Sequence, residues 1–518
     1  MFETAIAQLR FAASLVFGLP FDLGSLERLI DALGATRREF GAIGPDGAEL
    51  LGGPGLDERD RQAMQLRRFR QQAVRAARET TYYADLFRRT GLDPARLGYE
   101  EIARLPPTPK AALRDDPDAF VRRGAATALR ATTSGTTGRP TGVCFSAYEL
   151  RLATALGAIR QAFDGHVTDR DIVQLNASSR ATLGNLSFAA ACARVGALVC
   201  PVGLVDPRAT LALLSEARHV PGERTRVSVL LTYASYLGEL AELGPRLGYR
   251  AADFGLERIV VGGEIVTAGL KARVRQVFGP VQFDEGYGMT EIWPLGGTRC
   301  PEGHLHFEPS QGLVEVLDLE SGAPARPGRV GTIVATPLPP YRETTLLLRY
   351  DTEDVVRCLV AAASCSLRHL PATRDLLGKF RLAARHEHGW TFPRDVLEAL
   401  EAVEGVPLPA HCGFWAVPGG VAVEVVARTD APDTRRAIER RLEEHGVPVK
   451  ALHLVPHRRH LRRPLPLRCD LREVTFDDAR EAGDPRDPVT LEPDGALGGV
   501  AGGRPDGTLA GVGGGTWS

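Results

Sequence analysis

The alternation of apolar and polar residues predicts two kinds of structure in the first 285 residues. Residues 1 to about 100 carry apolar side chains at helical spacing among many arginines, as in LRRFRQQAVRAARETTYYADLF, and this spacing predicts helices. From about residue 170 to 285, the short apolar segments DIVQLN, ALVCPVG, VSVLLTY and RIVVGG each precede a stretch of helical length. Short apolar strands that alternate with helices are typical of a parallel sheet with helices on both faces.

The pattern changes after residue 310. GLVEVLDLESG, GTIVATPL and TTLLLRYDTEDVVRCL are rich in β-forming residues and Gly/Pro turns, so they predict a smaller antiparallel sheet. Residues from about 379 to 476 then predict a compact α+β unit. Its expected elements are a helix at 393–403, a hairpin that turns at Pro418-Gly419-Gly420, a helix at 432–445 and a strand at 450–455.

These patterns define the predicted fold class and domains. We expect an α/β protein with a large N-terminal domain of parallel α/β sheets plus a small antiparallel β subdomain, followed by a small C-terminal α+β domain. Residues 483–518 contain 11 glycines and 4 prolines, and this composition predicts disorder. We therefore expect that deleting these residues leaves the stability of the protein unchanged. The predicted boundaries are 1–100 for the helical N-terminal part of the large domain, 101–378 for its core, 379–476 for the small domain and 477–518 for the tail.

Composition narrows the functional classes. The 518 residues are 44% hydrophobic and 25% charged, which is ordinary for a globular protein. With 63 basic and 64 acidic residues the net charge is -1, and this balance argues against nucleic acid as a partner. The apolar run from Phe11 to Leu19 is too short to span a membrane, so no membrane partner is expected. Eight scattered cysteines without a CxxC pair favour a reducing compartment, and a cytoplasmic location is expected.

The strongest chemical signal is the segment TTSGTTGRPTG at 132–142. Its three glycines allow the backbone to approach a bulky anion, and successive N–H groups in such a segment can surround a phosphate. Its Thr and Ser hydroxyls add neutral donors. The Walker pattern GxxxxGK[ST] is absent, and a surface turn rich in Ser, Thr and Gly is the alternative interpretation of this segment taken alone.

With the motifs that follow it, this segment resembles the phosphate-binding signature of the adenylate-forming superfamily, and the chain resembles the phenylacetate–CoA ligase branch. Thr141 stands where most members carry Lys, which is a trait of that branch. VVGGEIV at 260–266, GYGMTE at 286–291 and YDTED at 350–354 follow in the family's order, with Glu353 in place of the usual Gly. The resemblance covers residues 65 to 475. It implies a ligase that uses ATP to activate a carboxylic acid as acyl-AMP and transfers the acyl group to CoA.

The resemblance assigns the phosphates and the metal to two of these motifs. Thr290 would contact the α-phosphate, and Glu291 would hold Mg²⁺. These roles suit the chemistry, because attack of a carboxylate on the α-phosphorus needs positioning, a divalent cation and neutral donors more than an acid or a base. The residues expected to surround the β- and γ-phosphates are Thr133, Ser134, Gly135, Thr136, Thr137 and Gly138.

The resemblance assigns adenosine to VVGGEIV, to YDTED and to the first residues of GYGMTE. Gly263 and Glu264 would border the adenine, and Tyr287 would stack on the purine, with Gly288 also at the nucleotide. Asp354 would accept hydrogen bonds from the ribose hydroxyls. Taken singly, Tyr287 is explained as well by a core aromatic and Asp354 by a turn or an ion pair.

One residue that the family leads us to expect is missing. Adenylate-forming enzymes place a lysine in the small C-terminal domain, where it contacts the α-phosphate and the substrate carboxylate. The corresponding stretch, HRRHLRRPLPLRCDLRE at 457–473, has no lysine, in a chain where only four of 63 basic residues are lysines. Arg463, or else Arg462 or Arg468, is expected to supply the charge, with some loss of rate. The alternative is an acyltransferase that has lost adenylation and uses preformed acyl donors.

The hinge segment also departs from the family. LLGKFR places Lys379 at the position of a family arginine and Arg381 where an aspartate is usual. Lys379 is therefore a candidate catalytic residue that would contact ribose or phosphate. A solvated surface lysine is the alternative.

The acyl pocket is expected to include Tyr233, Ser235, Tyr236 and the segment from Ser178-Ser179-Arg180 to Phe188. Aromatic side chains there favour an aromatic or alicyclic acid, although core packing explains each of them equally well. CoA is the acceptor that the resemblance implies, with an amine or a carrier-protein thiol as alternatives, and a homodimer stays open. A nucleotide-binding protein without turnover is the third functional class.

A group of cysteines and histidines allows a structural zinc site. Cys300, His304, His306, Cys358 and Cys365 come from two segments near the β-rich region. Their spacing lacks a tight pair of ligands, so small buried cysteines and surface histidines are the favoured interpretation.

Overall fold

The N-terminal part of the protein is helical, as predicted. The computed structural model describes residues 2–40, 57–133, 141–164, 166–178, 182–219, 222 and 224–471, all within one compact unit. Asp57 begins the longest helix by accepting a hydrogen bond from the Asp60 N–H, and Phe69 and Ala73 on that helix pack into the core. The helices are α1 (Phe2–Phe17), α2 (Leu23–Phe40), α3 (Glu58–Glu79), α4 (Thr81–Thr90), α5 (Tyr99–Arg104) and α6 (Lys110–Asp115).

A hairpin then leads into a parallel sheet. β1 (Thr127–Thr132) and β2 (Gly142–Ser146) pair antiparallel and precede α7 (Ala147–Asp164). The parallel strands are β3 (Ile172–Asn176), β4 (Leu198–Pro201), β5 (Val229–Thr232), β6 (Arg258–Gly262) and β7 (Gln282–Tyr287), in the spatial order β4-β3-β5-β6-β7. The helices between them are α8 (Thr182–Arg194), α9 (Pro207–Ser215), α10 (Ala234–Arg246) and α11 (Ala268–Phe278). The predicted α/β class is confirmed.

The antiparallel strands continue the same sheet instead of forming a separate one. β7 pairs with β8, and the order runs on as β8-β9-β13-β12-β11-β10, which gives an 11-stranded mixed sheet. Apolar residues on this half pack against α3 and α4 in one core cluster. The strands are β8 (Gly297–Arg299), β9 (Leu305–Phe307), β10 (Gly312–Asp318), β11 (Val330–Pro337), β12 (Tyr350–Cys358) and β13 (Ala372–Lys379).

The C-terminal residues form the predicted α+β arrangement. A short hairpin, β14 (Ala384–His386) and β15 (Gly389–Thr391), precedes a three-stranded sheet that packs on two helices. Gly419 has φ +82° in the tight turn between β16 and β17, a conformation that favours glycine. The elements are α12 (Pro393–Glu401), β16 (Cys412–Val417), β17 (Gly420–Val426), α13 (Pro432–Glu444) and β18 (Val449–Val455).

Helix α12 joins the C-terminal residues to the large sheet. Glu401 accepts a hydrogen bond from Thr267 Oγ1 at 2.5 Å, and Glu398 accepts one from the Ala268 N–H at 2.9 Å, so α12 supplies two carboxylates to the beginning of α11. A Cβ at Gly269 would lie 2.5 Å from the Glu401 backbone, so only glycine allows this close approach. None of the helices in the described ranges combines the length and the apolar character that crossing a membrane requires.

Candidate active site

The predicted phosphate-binding segment connects β1 and β2, and the structure describes only its two ends. The Thr133 N–H donates to the Thr141 carbonyl at 3.0 Å, and the Thr141 N–H donates to Thr133 Oγ1 at 3.0 Å, so the two ends of the turn are held together. The other residues predicted to surround the β- and γ-phosphates, Ser134, Gly135, Thr136, Thr137 and Gly138, lie outside the described residues.

A cleft of about 170 Å³ lies between the parallel strands, the β12–β13 pair and the C-terminal residues 465–468. Several residues predicted from the sequence line it, among them Gly263, Glu264, Asp354 and Lys379. Arg468 also lines it, beside Gly263 and Glu264. The structure therefore brings the adenine, ribose and hinge motifs together at one place.

Asp354 is the centre of a hydrogen-bonded group on one side of the cleft. Its Oδ1 atom lies 2.8 Å from Lys379 Nζ, and its Oδ2 atom accepts a hydrogen bond of 3.0 Å from the Tyr287 hydroxyl. The register of the β12–β13 ladder pairs Asp354 directly with Lys379, which is why the two side chains meet. Burial, and then the Asp354 carboxylate, raise the pKa of Tyr287, so its hydroxyl stays a proton donor.

Glu264 and Arg468 form the other side of the cleft. The Glu264 carboxylate accepts hydrogen bonds from the Ser235 N–H at 2.8 Å and the Arg468 N–H at 2.7 Å, while burial raises its pKa. Arg468 Nε donates to the Gly263 carbonyl at 3.0 Å, and its guanidinium lies 5.0 Å from the centre of the Tyr233 ring. Arg468 thus spans the distance from the predicted adenine edge to the predicted acyl pocket.

Glu291 lies in a buried group next to this cleft. Its side chain is 1% exposed, and its Oε1 atom lies 3.1 Å from Lys110 Nζ and 3.2 Å from the donating Tyr350 hydroxyl. Its Oε2 atom is buried without a hydrogen-bond partner among the described residues. An unpartnered carboxylate oxygen suits Mg²⁺, which prefers hard oxygen ligands, so Glu291 fits the predicted metal role with Lys110 on its other oxygen.

Thr290 and Gly288 lie in the connection after β7. Thr290 is half-buried beside Glu291, and Gly288 is exposed. A Cβ at Gly288 would meet no described atom within 4 Å, so this backbone is open to a ligand.

The arginine that the sequence favoured does not reach the cleft. The Arg463 guanidinium is exposed and lies 5.9 Å from the centre of the Trp415 ring. Arg462 Nε pairs with Glu424 at 3.0 Å on the same surface. Of the three arginines considered, only Arg468 lines the cleft.

The predicted acyl-pocket residues separate into two groups. Ser235 lines the cleft, and Tyr233 lies beside it beneath Arg468. Tyr236 instead belongs to the core, because its hydroxyl is 2.7 Å from Thr210 Oγ1 and donates to the Val205 carbonyl at 2.8 Å. Ser179 and Arg180 lie outside the described residues.

Sequence reasoning missed Lys110 as a partner of Glu291. The backbone of Thr108 bonds to Arg349 and Asp351, which places the following lysine at the edge of β12. The rarity of lysine was the feature of the sequence that could have drawn attention to Lys110. Three of the four lysines form ion pairs with acidic residues of the large sheet and its adjoining loop, namely Lys110, Lys271 and Lys379.

The predicted class, a ligase of the acyl-CoA synthetase type, is confirmed by comparison with known proteins. Residues 63–336 match the family of AMP-binding enzymes, and the chain belongs to this family. It is 28% identical over 316 residues to the phenylacetate-coenzyme A ligase of Thermus thermophilus, covering 60% of this chain and 68% of that relative. It is also 28% identical over 237 residues to the 2-succinylbenzoate--CoA ligase of Arabidopsis thaliana, covering 46% of this chain and 38% of that relative.

Solved structures support the same fold. The structure of 2-hydroxyisobutyryl-CoA ligase in the postadenylation state with 2-HIB-AMP matches with a TM-score of 0.64 at 18% identity, over 77% of this chain and 86% of that chain. The open conformation of that ligase with 2-HIB-AMP and CoA matches with a TM-score of 0.57 at 18% identity, over 77% of this chain and 88% of that chain.

Proposed function

We propose that the protein uses ATP to activate an aromatic or alicyclic carboxylic acid as acyl-AMP and then transfers the acyl group to CoA. The observation that carries this proposal is the convergence of Asp354, Lys379, Glu264 and Arg468 on one cleft in a chain of the AMP-binding family. Two of these residues, Lys379 and Arg468, are basic and line the cleft. Such an arrangement suits a phosphorylated nucleotide that is held mainly by position and charge.

Asp354 can receive a ribose without losing its present partners. Lys379 Nζ and the Tyr287 hydroxyl each occupy one of its oxygens. Because each carboxylate oxygen has two lone-pair positions, two ribose hydroxyls can still donate to it. Lys379 then adds a positive charge beside the sugar.

Glu291 and Lys110 would act together at the phosphates. Mg²⁺, when bound, would neutralise phosphate charge as the acyl phosphate bond forms. Glu291 would offer its unpartnered Oε2 atom, while Lys110 stays on Oε1. The Thr290 hydroxyl, one residue away, would donate to the α-phosphate.

Arg468 is the best candidate for the charge that the missing lysine would carry. Its position between the Gly263 carbonyl and the Tyr233 ring corresponds to the junction of adenosine and acyl group. A guanidinium can bind two oxygens of a carboxylate or phosphate at once, so it can hold the two reacting groups against each other. This position favours retained adenylation over its loss.

The cleft must enlarge before a nucleotide can enter. Its volume of about 170 Å³ is below the ~300–1,000 Å³ of typical ligand pockets. Residues 465–468 form one wall, and they belong to the predicted small domain that begins at residue 379. We therefore expect this domain to move as a unit when ATP binds, with Gly378, at φ +120°, next to the point of bending.

The proposed acid and the proposed acceptor are supported by the residues of the pocket and by the relatives of the chain. Tyr233 supplies an aromatic surface beside the cleft, which suits a flat or cyclic acyl group. Both curated relatives are named as CoA ligases of acids that contain an aromatic ring. CoA is accordingly the proposed acceptor, ahead of an amine or a carrier-protein thiol.

A second candidate, an acyltransferase without adenylation, is favoured by one observation. No lysine occurs between residues 451 and 518, so the charge used in the adenylation step by the family is absent in its usual form. Such an enzyme would move an acyl group between preformed thioesters and would not consume ATP.

Exchange of labelled pyrophosphate into ATP separates the candidates. With a panel of aryl and alicyclic acids, the proposed enzyme should catalyse exchange that depends on the acid and on Mg²⁺. Adding CoA should then yield the thioester, whereas an amine or a carrier protein should give no product. Exchange that is absent with every acid, together with turnover of acyl thioesters without ATP, would establish the acyltransferase instead.

A further inference from the structure

Four side chains that can bind a metal meet at the edge of the large sheet, away from the nucleotide cleft. They are Cys300 after β8, His304 and His306 at β9, and Cys365 in the connection between β12 and β13. One ligand atom from each of them lies within 4.8 Å of the other three. The fourth residue comes from a distant segment, so no short spacing in the sequence marks the group.

The surroundings of this group are unusual for side chains without a metal. Cys300, His306 and Cys365 are at most 5% exposed, and Cys365 Sγ lies 3.1 Å from His306 Nε2. The Nδ1 atom of His304 is buried and has no hydrogen-bond partner among the described residues. Buried polar atoms are almost always partnered, so this nitrogen points to a ligand.

The His304 N–H donates a hydrogen bond of 3.3 Å to Cys300 Sγ. This hydrogen bond ties the backbone of one candidate ligand to the sulfur atom of another.

We propose that Cys300, His304, His306 and Cys365 bind one structural zinc ion. Two thiolates and two imidazoles are a donor set that zinc takes in tetrahedral sites, and the two thiolates balance its charge, which allows burial. Tetrahedral zinc would hold the ligand atoms at about 3.3–3.8 Å from one another, so the present group needs a contraction on the order of 1 Å at most. All four positions would be filled by the protein, which makes the site closed and structural rather than catalytic.

The ion would hold together a weakly paired part of the sheet. β9 and β13 are joined through only two residue pairs, His306 with Ala372 and Leu305 with Thr373. Zinc would tie the β8–β9 hairpin to the segment just before β13. Thr373 and Lys379 are separated by about 20 Å along the strand, so the ion would support the frame of the cleft without contacting the nucleotide.

Cys358 provides a matched control. The sequence grouped it with the four others, but its thiol lies at the end of β12 with the Ala325 carbonyl 3.8 Å away. It belongs to the same region and is the same residue type, yet it is not among the four side chains of the group.

Metal analysis of the full chain, purified without chelator and with any affinity tag removed, tests the proposal. We expect about one zinc per chain, retained by Cys358→Ser and lost by Cys300→Ser and Cys365→Ser. Replacement of zinc by Co²⁺ should give the absorption of a tetrahedral site with thiolate ligands. A zinc content below ~0.3 per chain, or equal zinc in all three variants, would overturn the assignment.

A second measurement covers the case in which the serine variants do not fold. In the wild-type protein, titration of thiols with a mercurial reagent should release zinc in step with thiol modification, and chelation should lower the unfolding temperature. Peptide mapping that finds a disulfide between Cys300 and Cys365 in the protein as purified, before any chelation, would contradict the proposal.

Discussion

Arg468 is the side chain on which the proposed catalysis depends most, because it contacts both Gly263 and Tyr233 at the cleft. Its Nε donates to Gly263 and its guanidinium covers Tyr233, whereas Arg463 lies on an exposed surface beside Trp415. The two arginines are five positions apart in a stretch with similar composition, so only their positions distinguish them.

Replacing Arg468 with alanine should lower acid-dependent pyrophosphate exchange about 100-fold, since loss of one preorganised charged donor has effects of this size. Arg468→Lys should recover part of the rate, because it keeps the charge but loses the planar fork. Arg463→Ala is the control and should change the rate by less than about twofold. Equal losses in Arg463→Ala and Arg468→Ala would remove Arg468 from the proposed site.

Glu353 departs from the family pattern, and the backbone at this position favours the residue that it replaces. It occupies the position of the usual glycine in YDTED, and its φ of +59° is in the left-handed region that favours glycine. The side chain pairs with Arg381 at 3.1 Å, and both groups are about one-third exposed. Such a pair contributes only ~0–1 kcal/mol, which is comparable to the backbone strain it would have to offset.

Changing Glu353 should therefore separate backbone strain from the ion pair. Glu353→Gly should leave the free energy of unfolding within about 1 kcal/mol of wild type, whereas Glu353→Val should lower it by about 1–2 kcal/mol. Arg381→Ala removes the same ion pair without altering the backbone at 353 and serves as the control. Denaturant unfolding measures all three, and equal stability of the Gly and Val variants would refute the strain argument.

Helix α12 belongs to the predicted small domain and carries a buried carboxyl group that contacts the large domain. Its Glu401 is buried, and desolvation raises the pKa of this carboxyl to about 7, although Thr267 Oγ1 and the Ala410 N–H both donate to it. The folded state therefore holds the proton more tightly than the unfolded chain does. Stability from this group is fully present below pH 4.5, the value for the free side chain, and is lost as the pH rises to about 7.

Glu401→Gln should remove this pH dependence. Ionising the buried carboxyl costs roughly 1–3 kcal/mol, so the variant should be more stable than wild type at pH 8 and no more stable at pH 4.5. Glu398→Gln, on the same helix, should not produce this change and is the control. Thermal unfolding as a function of pH provides the measurement. A wild-type protein whose stability increases from pH 5 to pH 8 relative to Glu401→Gln would show that the sign is wrong.

The whole molecule should respond to nucleotide because the cleft joins the large sheet to the C-terminal residues. Mg²⁺-ATP at a hundredfold excess over its Kd should stabilise the folded protein by about 2.7 kcal/mol. Glu291→Ala should abolish the part of this stabilisation that depends on Mg²⁺ and lower the overall rate at least ~100-fold, given the size of metal contributions. Calorimetric titration and thermal unfolding with and without Mg²⁺ measure both effects. An unchanged Mg²⁺ dependence in the variant would show that Glu291 is not the metal ligand.

Much of the fold follows from local patterns, whereas the joining of its parts does not. The apolar strands of the parallel half and the helices at 393–401 and 432–444 were predictable, because side-chain periodicity reports burial within one element. The antiparallel strands were recognised individually, but not their continuity with the parallel ones. Pairing of β7 with β8 decides that continuity, and strand pairing depends on neighbours distant in the sequence.

By itself, the sequence determined the α/β class and the order of the family's motifs, and the resemblance predicted Asp354, Lys379 and Glu264 as residues of one site. Each of these depends on short segments whose chemistry is complete within a few residues. Only the tertiary structure decided that Arg468 faces the cleft, that Lys110 meets Glu291, and that Cys365 joins Cys300 and two histidines. Those contacts bring together side chains far apart in the chain, and packing of the whole sheet is the physical cause that sets their distances.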